Sequence, residues 1–198
     1  VGDPWCWESF ASAVELRTAH AELEALACSR VLSAATSRTS AVQKARTDRI
    51  AFLDLHGGSG TECPPCCLTL FRRLEGAASR LTWPGDDLLC PQLGMAAVYD
   101  GAGSYYATHR DNEFGDGQWM NHRTLSAVAY VNPSSFQTDG EGGELRCHVG
   151  TDRADNSGKT ARRVEDIRPR GGIAVLFPSR TLLHEVRPTR ARRYALTL

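Results

Sequence analysis

The residues of this 198-residue chain that could do chemistry lie in its second half. His109-Arg-Asp111 closes a strand-like run, and residues two apart on a strand share a face. An imidazole and a carboxylate at that spacing can point at one metal ion. Far downstream, after the apolar run Gly172-Ile-Ala-Val-Leu-Phe177, comes His184. A second histidine on a facing strand would complete a set of two histidines and one carboxylate, which leaves three positions open on iron(II). With six histidines and 23 acids in the chain, a lone His-x-Asp also arises by chance, and its plain reading is a surface turn. Arg193, nine residues beyond His184, adds weight. A cosubstrate such as 2-oxoglutarate chelates iron through its keto-acid end and leaves a buried distal carboxylate. A guanidinium matches that carboxylate with a bidentate fork. Arg193, Ala195 and Thr197 fall on one strand face, with Tyr194, Leu196 and Leu198 on the other. Arg193 and Thr197 can therefore both point into a barrel. The neighbouring Arg187, Arg190 and Arg192 are read as solvent or substrate contacts.

The elements that must position these residues change character near residue 90. Before it the pattern is mostly helical. Apolar residues at Trp7, Phe10, Ala13, Val14, Leu16, Leu23, Leu26 and Ala27 give helix spacing across Trp5 to Leu32. Ser33 to Thr47 has no apolar period and reads as a loop, a candidate lid. Ile50 to Leu55 alternates like a strand, and His56 to Thr61 reads as a turn. Leu68, Phe71, Leu74, Ala78 and Leu81 predict a second amphipathic helix, stopped by Trp83-Pro-Gly-Asp-Asp. After residue 92 the chain reads as short strands: 95–99, 105–109, 125–131, 143–149, 172–177, 184–187 and 193–198. Asp100-Gly-Ala-Gly, Gly115-Asp-Gly and Asp139-Gly-Glu-Gly-Gly supply the turns. Thr151 to Glu165 is polar and reads as a long surface excursion between strands. The expectation is one domain over 1–198, α+β and mainly β, with 1–92 supporting a β-core at 93–198.

Composition removes several classes. Hydrophobic residues are 41% and charged residues 23%, as in globular proteins. Lys plus Arg equals Asp plus Glu at 23 each, so no basic field advertises nucleic acid or an anionic membrane. No apolar run approaches the ~18 residues of a membrane span. Seven cysteines, an odd number, point to a reduced intracellular protein rather than a disulfide framework. Cys63-Pro-Pro-Cys66-Cys67 lacks the second pair that structural zinc takes, and reads as a thiol-rich turn leading into a helix. Gly57-Gly-Ser-Gly-Thr lacks the lysine of a phosphate loop.

A longer set of motifs carries a resemblance. It runs Tyr99-Asp-Gly-Ala-Gly-Ser-Tyr-Tyr-Ala-Thr-His109-Arg-Asp111-Asn, Gly115-Asp-Gly117, Tyr130-Val-Asn, Gly142-Gly-Glu-Leu-Arg146, and His184-Glu-Val-Arg-Pro continuing to Arg193-Tyr-Ala-Leu-Thr197. In order and spacing it resembles the iron- and 2-oxoglutarate-dependent prolyl 4-hydroxylases, above all the oxygen-sensing type that modifies hypoxia-inducible factor. The similarity is strong from Met95 to Leu198. Before that it is faint, with Arg46-Thr-Asp48-Arg-Ile-Ala-Phe similar to the strand after the family's substrate loop.

The resemblance implies a double-stranded β-helix, or jelly roll, with N-terminal supporting helices. It implies that His109, Asp111 and His184 ligate Fe(II). Arg193 would bind the distal carboxylate of 2-oxoglutarate with the phenol of Tyr130, Tyr99 and Thr197 would complete that pocket, and Val128 and Val186 would wall it. Dioxygen is the co-reactant and ascorbate the reductant. The implied partner is a protein presenting a proline, with no nucleic acid and no membrane, acted on by a monomer in the cytoplasm or nucleus. The substrate classes are a HIF-like transcription factor or the Skp-type adaptor of ubiquitin ligases, and the Ala-, Arg- and Ser-rich first half favours the second.

There are departures. Gln118 stands where those enzymes carry an arginine paired with the acid matching Asp48, so that bridge is expected to be absent and the substrate loop held differently. The stretch from Asp111 to His184 is longer, and the family's C-terminal helix has no counterpart in this sequence. Competing readings are another 2-oxoglutarate oxygenase such as a nucleic-acid demethylase, which the arginine spacing and zero net charge disfavour, and a non-catalytic jelly-roll binding module. A cysteine-based redox or zinc module is a third.

Overall fold

The computed structural model describes residues 3–35, 45–58, 60–81, 88–133, 135–136, 138–154 and 160–198. In chain order the elements are β1 (Trp5–Trp7), α1 (Ala13–Cys28), β2 (Ser33–Ala34), β3 (Arg49–Asp54), β4 (Thr61–Glu62) and α2 (Pro65–Ala78). There follow β5 (Leu93–Tyr99), β6 (Ser104–His109), β7 (Phe114–Gly115), β8 (Gln118–Trp119), β9 (Leu125–Tyr130) and α3 (Thr138–Glu141). The rest is β10 (Leu145–Ala154), β11 (Thr160–Ile167), β12 (Ala174–Pro178), β13 (Leu183–Thr189) and β14 (Arg193–Thr197).

The strands form two main sheets. The larger runs β1-β12-β9-β14-β5-β3-β2, with β4 parallel to β3; the smaller runs β11-β10-β13-β6. Period-two alternation gives each strand of the larger sheet two different faces. Ala96 and Val98, Ala127 and Ala129, Ala174 and Leu176, and Tyr194 and Leu196 meet Ala19 and Leu23 of α1 and Leu70, Phe71 and Leu74 of α2 in one cluster. Val128, Tyr130, Val175, Phe177 and Ala195 point the other way, onto Leu145, Cys147 and Val149 of the smaller sheet. The helices thus cover the outside of one sheet, and the site lies between the two sheets. This is a jelly roll with supporting helices. Small residues on the outer face let the helices approach closely. At Gly94 a Cβ would lie 2.6 Å from the Phe71 ring.

Helix spacing across Trp5–Leu32 is only partly realised. Trp5–Trp7 is a strand, antiparallel to β12, where it covers the edge of the larger sheet. Helix α1 starts later because Ser12 caps it, with Glu15 closing a capping box. Helix α2 starts at Pro65, where proline's missing N–H costs nothing, and Glu22 accepts from the N–H groups of Cys66 and Cys67. The cysteine motif therefore forms a helix start, and burial pushes the Cys63 thiol up to about 12.

The polar stretch 151–165 also differs from expectation. It contains the end of β10 and most of β11, paired from Leu145↔Ile167 to Gly150↔Arg162 and again at Ala154↔Thr160. The inner face keeps Leu145, Cys147, Val149 and Ile167, while charge sits outside, as in the direct cross-strand pair of Arg146 and Asp166 at 2.7 Å. Within the expected loop Ser33–Thr47, Ser33 and Ala34 pair with β3, and 36–44 lie outside the described residues. So does the expected helix stop at 83–87.

Candidate functional site

Strands β6 and β13 are neighbours in the smaller sheet, and His109 stands directly opposite His184. Both imidazoles face the interior, with ring centroids 4.3 Å apart. Each is oriented by its own backbone: His109 Nδ1 lies 2.8 Å from Ala107 O and His184 Nδ1 lies 3.1 Å from Leu182 O. A carbonyl only accepts, so Nδ1 carries the proton and Nε2 turns its lone pair inward on both rings. Asp111 Oδ1 lies 3.3 Å from one Nε2 and 3.7 Å from the other.

Asp111 arrives by a different route from the one its spacing suggests. Strand β6 ends at His109, and Asp111 sits in the turn that follows. Asn112 anchors that turn. Its side chain donates to Asn121 O and Arg123 O, and its N–H donates to Ser179 O. Ser126 Oγ then donates to Asp111 Oδ2 at 2.5 Å, and Arg123 lies 3.6 Å from the same oxygen. Burial opposes ionisation of Asp111, but His184, His109 and Arg123 outweigh it and hold the carboxyl well below the usual range. Burial lowers His184 to about 4, against the pull of Asp111.

One nitrogen from each imidazole and one carboxylate oxygen, all within 4.8 Å of one another, form the group that could hold a metal ion among the described residues. The donor set fits a divalent first-row metal with an open face.

The other candidate residues line the same interior. Arg193 is 2% exposed, opposite Tyr99 in the β14–β5 register. Its guanidinium carbon lies 4.8 Å from the Tyr99 ring and 5.0 Å from the Tyr130 ring. The Arg193 Nε and the Tyr130 Oη are buried without a hydrogen-bond partner among the described residues. Burial pushes both Tyr99 and Tyr130 phenols up, against the pull of Arg193. A cation and a neutral phenol, both short of acceptors or donors, fit an anionic ligand with several oxygens. Val128 and Val186 are buried on the inner surface. Thr197 shares the face of Arg193 but lies four residues along the strand, roughly 13 Å away, beside Val128.

Sequence reasoning missed Ser126, Arg123 and Asn112. Of these only Ser126 carries a signal, a lone hydroxyl in the otherwise apolar run Leu125-Ser-Ala-Val-Ala-Tyr130. It also missed Gly143, whose absent side chain makes room for Arg193: a Cβ there would lie 3.0 Å from Arg193 Cδ, and φ is +80°. Asp48 is paired within its own segment instead of with position 118. Arg46 holds it in a bidentate contact at 2.8 and 2.6 Å, while Gln118 sits in the β7–β8 hairpin. Of the neighbouring arginines, Arg190 and Arg192 are exposed and Arg187 is half-buried, and each also has a surface partner. Arg192 contacts Glu24 and Asp100, Arg187 contacts Glu185, and Arg190 donates to Gly140 O.

The family model of the 2OG-Fe(II) oxygenase superfamily matches residues 94–198. Solved structures share the fold along nearly the whole chain. A Pseudomonas putida prolyl-4-hydroxylase superposes with a TM-score of 0.72 at 24% identity, covering 98% of this chain and 89% of that one. A Trichoplax adhaerens prolyl hydroxylase in complex with a hypoxia inducible factor oxygen degradation domain peptide fragment gives 0.74 at 23%, covering 98% and 81%. A viral collagen prolyl hydroxylase from Paramecium Bursaria Chlorella virus-1 gives 0.62 at 14%, covering 98% and 93%. No curated protein matches by sequence.

Proposed function

We propose, from the premise that this chain belongs to the 2OG-Fe(II) oxygenase superfamily, that it 4-hydroxylates a prolyl residue in a protein substrate. The observation that carries the reading is one cavity with two chemically distinct ends. His109, Asp111 and His184 gather at one end, and buried Arg193 lies between Tyr99 and Tyr130 at the other. The prolyl assignment draws on the motif set from Tyr99 to Thr197 and on the prolyl hydroxylases that share the fold.

In this reading His109, Asp111 and His184 hold the metal. Iron(II) bound there would supply, with 2-oxoglutarate and dioxygen, the oxidation that places one oxygen on proline C4 and releases succinate and carbon dioxide. The chain's own residues do the positioning. The fixed Nδ1–H tautomers present both Nε2 lone pairs without rearrangement. Ser126 keeps one oxygen of Asp111 occupied and leaves the other for the metal. Arg193 forks the distal carboxylate of 2-oxoglutarate, with the Tyr130 phenol donating to it and Tyr99 alongside. Thr197, on the strand face of Arg193, is a further residue of the cosubstrate pocket, and Val128 and Val186 exclude water from the cavity wall.

Ascorbate is the reductant proposed to keep the iron ferrous, and the chain works as a monomer in the cytoplasm or nucleus. The substrate is an oxygen-reporting protein, the Skp-type adaptor or a HIF-like factor. A balance of 23 acids and 23 bases speaks against a nucleic-acid substrate.

The test is succinate formation from 2-oxoglutarate on admitting air to the iron-loaded protein, with and without proline-containing peptides. Turnover that needs iron, stops in His109→Ala and adds one oxygen to a peptidyl proline supports the reading. Succinate without peptide oxidation points to another substrate. No succinate from folded, iron-loaded protein overturns the enzyme and leaves the binding module.

A further inference from the structure

His109 needs two restraints to aim its Nε2 at one point. A hydrogen bond fixes a position on the ring, and a packed face fixes its plane. The first is the contact of Nδ1 with Ala107 O. The second is the ring of Tyr106, stacked on the imidazole at 3.6 Å between centroids and 14° between planes. Residues 106 and 107 thus hold the ligand, and they are held in turn from outside their own strand. Ala107 N–H donates to Ala45 O at 2.7 Å, Arg46 bridges the backbone of Tyr106, and Thr47 N–H donates to Tyr105 O. The Arg46 guanidinium carbon lies over the Tyr106 ring, 4.2 Å from its centroid. Asp48 grips that guanidinium through both Nε and Nη2, with the two side chains 10% and 0% exposed. A buried bidentate pair fixes orientation as well as charge.

We propose that Arg46 is a positioning residue for His109: Asp48 fixes the guanidinium, the guanidinium fixes the Tyr106 ring, and the ring fixes the plane of the imidazole. The proposal rests on the reading of His109 as a metal ligand. Partners one step removed from a metal typically change affinity about 10- to 100-fold when lost, because the ligand must then be ordered at the moment of binding. A purely structural pair would alter stability and leave the aim of Nε2 unchanged.

The experiment uses the whole chain and Co(II) as the probe, followed by its visible absorption, with the ring-proton resonances of His109 in the metal-free protein as a second readout. The variant pairs Arg46→Met with Asp48→Asn, so that no charge is left buried and alone. If the double variant does not fold, Arg46→Lys carries the test, since it keeps both the charge and the Tyr106 ring. Co(II) should bind about tenfold more weakly. The His109 ring protons, shifted upfield by Tyr106 in wild type, should return toward ordinary positions. Arg46→Lys, which keeps charge without the fork, should fall between. Unchanged Co(II) affinity and unchanged His109 resonances in a folded variant overturn the proposal. If wild type binds no Co(II), or His109→Ala binds it as well as wild type, the metal reading fails instead, and the resonances still report whether Arg46 holds the ring.

Discussion

The two ends of the cavity differ in how far the protein has completed them. At the histidine end the polar groups that orient the site have protein partners: Nδ1 of both rings, the second oxygen of Asp111, and the side chain of Asn112. At the arginine end Arg193 Nε and Tyr130 Oη are buried without one among the described residues. A buried polar group left unpaired costs about 1–3 kcal/mol, a cost that a ligand's own oxygens would relieve. The histidine end is oriented in advance, and the arginine end, in the proposed function, is finished by the cosubstrate. The two ends should therefore respond independently to mutation.

The harshest way to break that comparison is His184→Ala. It should abolish both metal binding in a titration and succinate formation, while 2-oxoglutarate still protects the apo-protein weakly against heat. Arg193→Met should act the other way. Losing a charge-assisted bidentate contact of about 1.5–3 kcal/mol raises the half-saturating 2-oxoglutarate concentration roughly 10- to 100-fold. Metal affinity should stay within about twofold by the same titration, and a parallel fall would show that the ends are coupled. Ser126→Ala removes the hydroxyl beside Asp111. Metal affinity should drop about tenfold with little change in 2-oxoglutarate requirement. Gly143→Ala combines a left-handed backbone with a Cβ against Arg193, and should cost about 1–2 kcal/mol, lowering Tm by about 2–8 °C.

Glu15→Gln, remote from both ends, is the control. The hydrogen bond from Arg73, with those from Ser12, lowers this carboxyl to about 2. Its contribution is complete above the ordinary carboxylate range near ~4.3 and is lost as pH falls through about 2. The variant should melt about 1–3 °C lower at neutral pH and match wild type near pH 2, with both binding reactions unmoved.

Much of the scaffold is legible because turn residues punctuate strand-length runs, and central strands such as β9 and β12, buried on both faces, are near-continuously apolar. Ile50 to Leu55 reads as a strand from alternation, and the turns between short runs mark out most of the later strands. Residues 151–165 do not read as strand, since the outer face of β10–β11 is charged and the inner positions are few. Trp5–Trp7 does not, because a three-residue edge strand is decided by its partner rather than by its own pattern. Within the site, His109, His184 and Arg193 could be picked out by spacing. Strand spacing accounts for Asp111 only in part: a turn nailed by Asn112 delivers it, and nothing in a His-x-Asp spacing encodes that turn. The bond between Arg46 and Asp48 was hidden for the opposite reason. Two residues apart on an extended segment, they look too ordinary to mark as a pair.

Strand β14 sends Arg193, Ala195 and Thr197 into the cavity and Tyr194 and Leu196 onto the helices. In evolutionary terms, neighbouring codons of this strand answer to different selection. The inward set can be rewritten for another acid or another substrate while the outward set goes on anchoring the helices. Lineages built on this sheet can thus diverge in chemistry without first surviving a loss of stability.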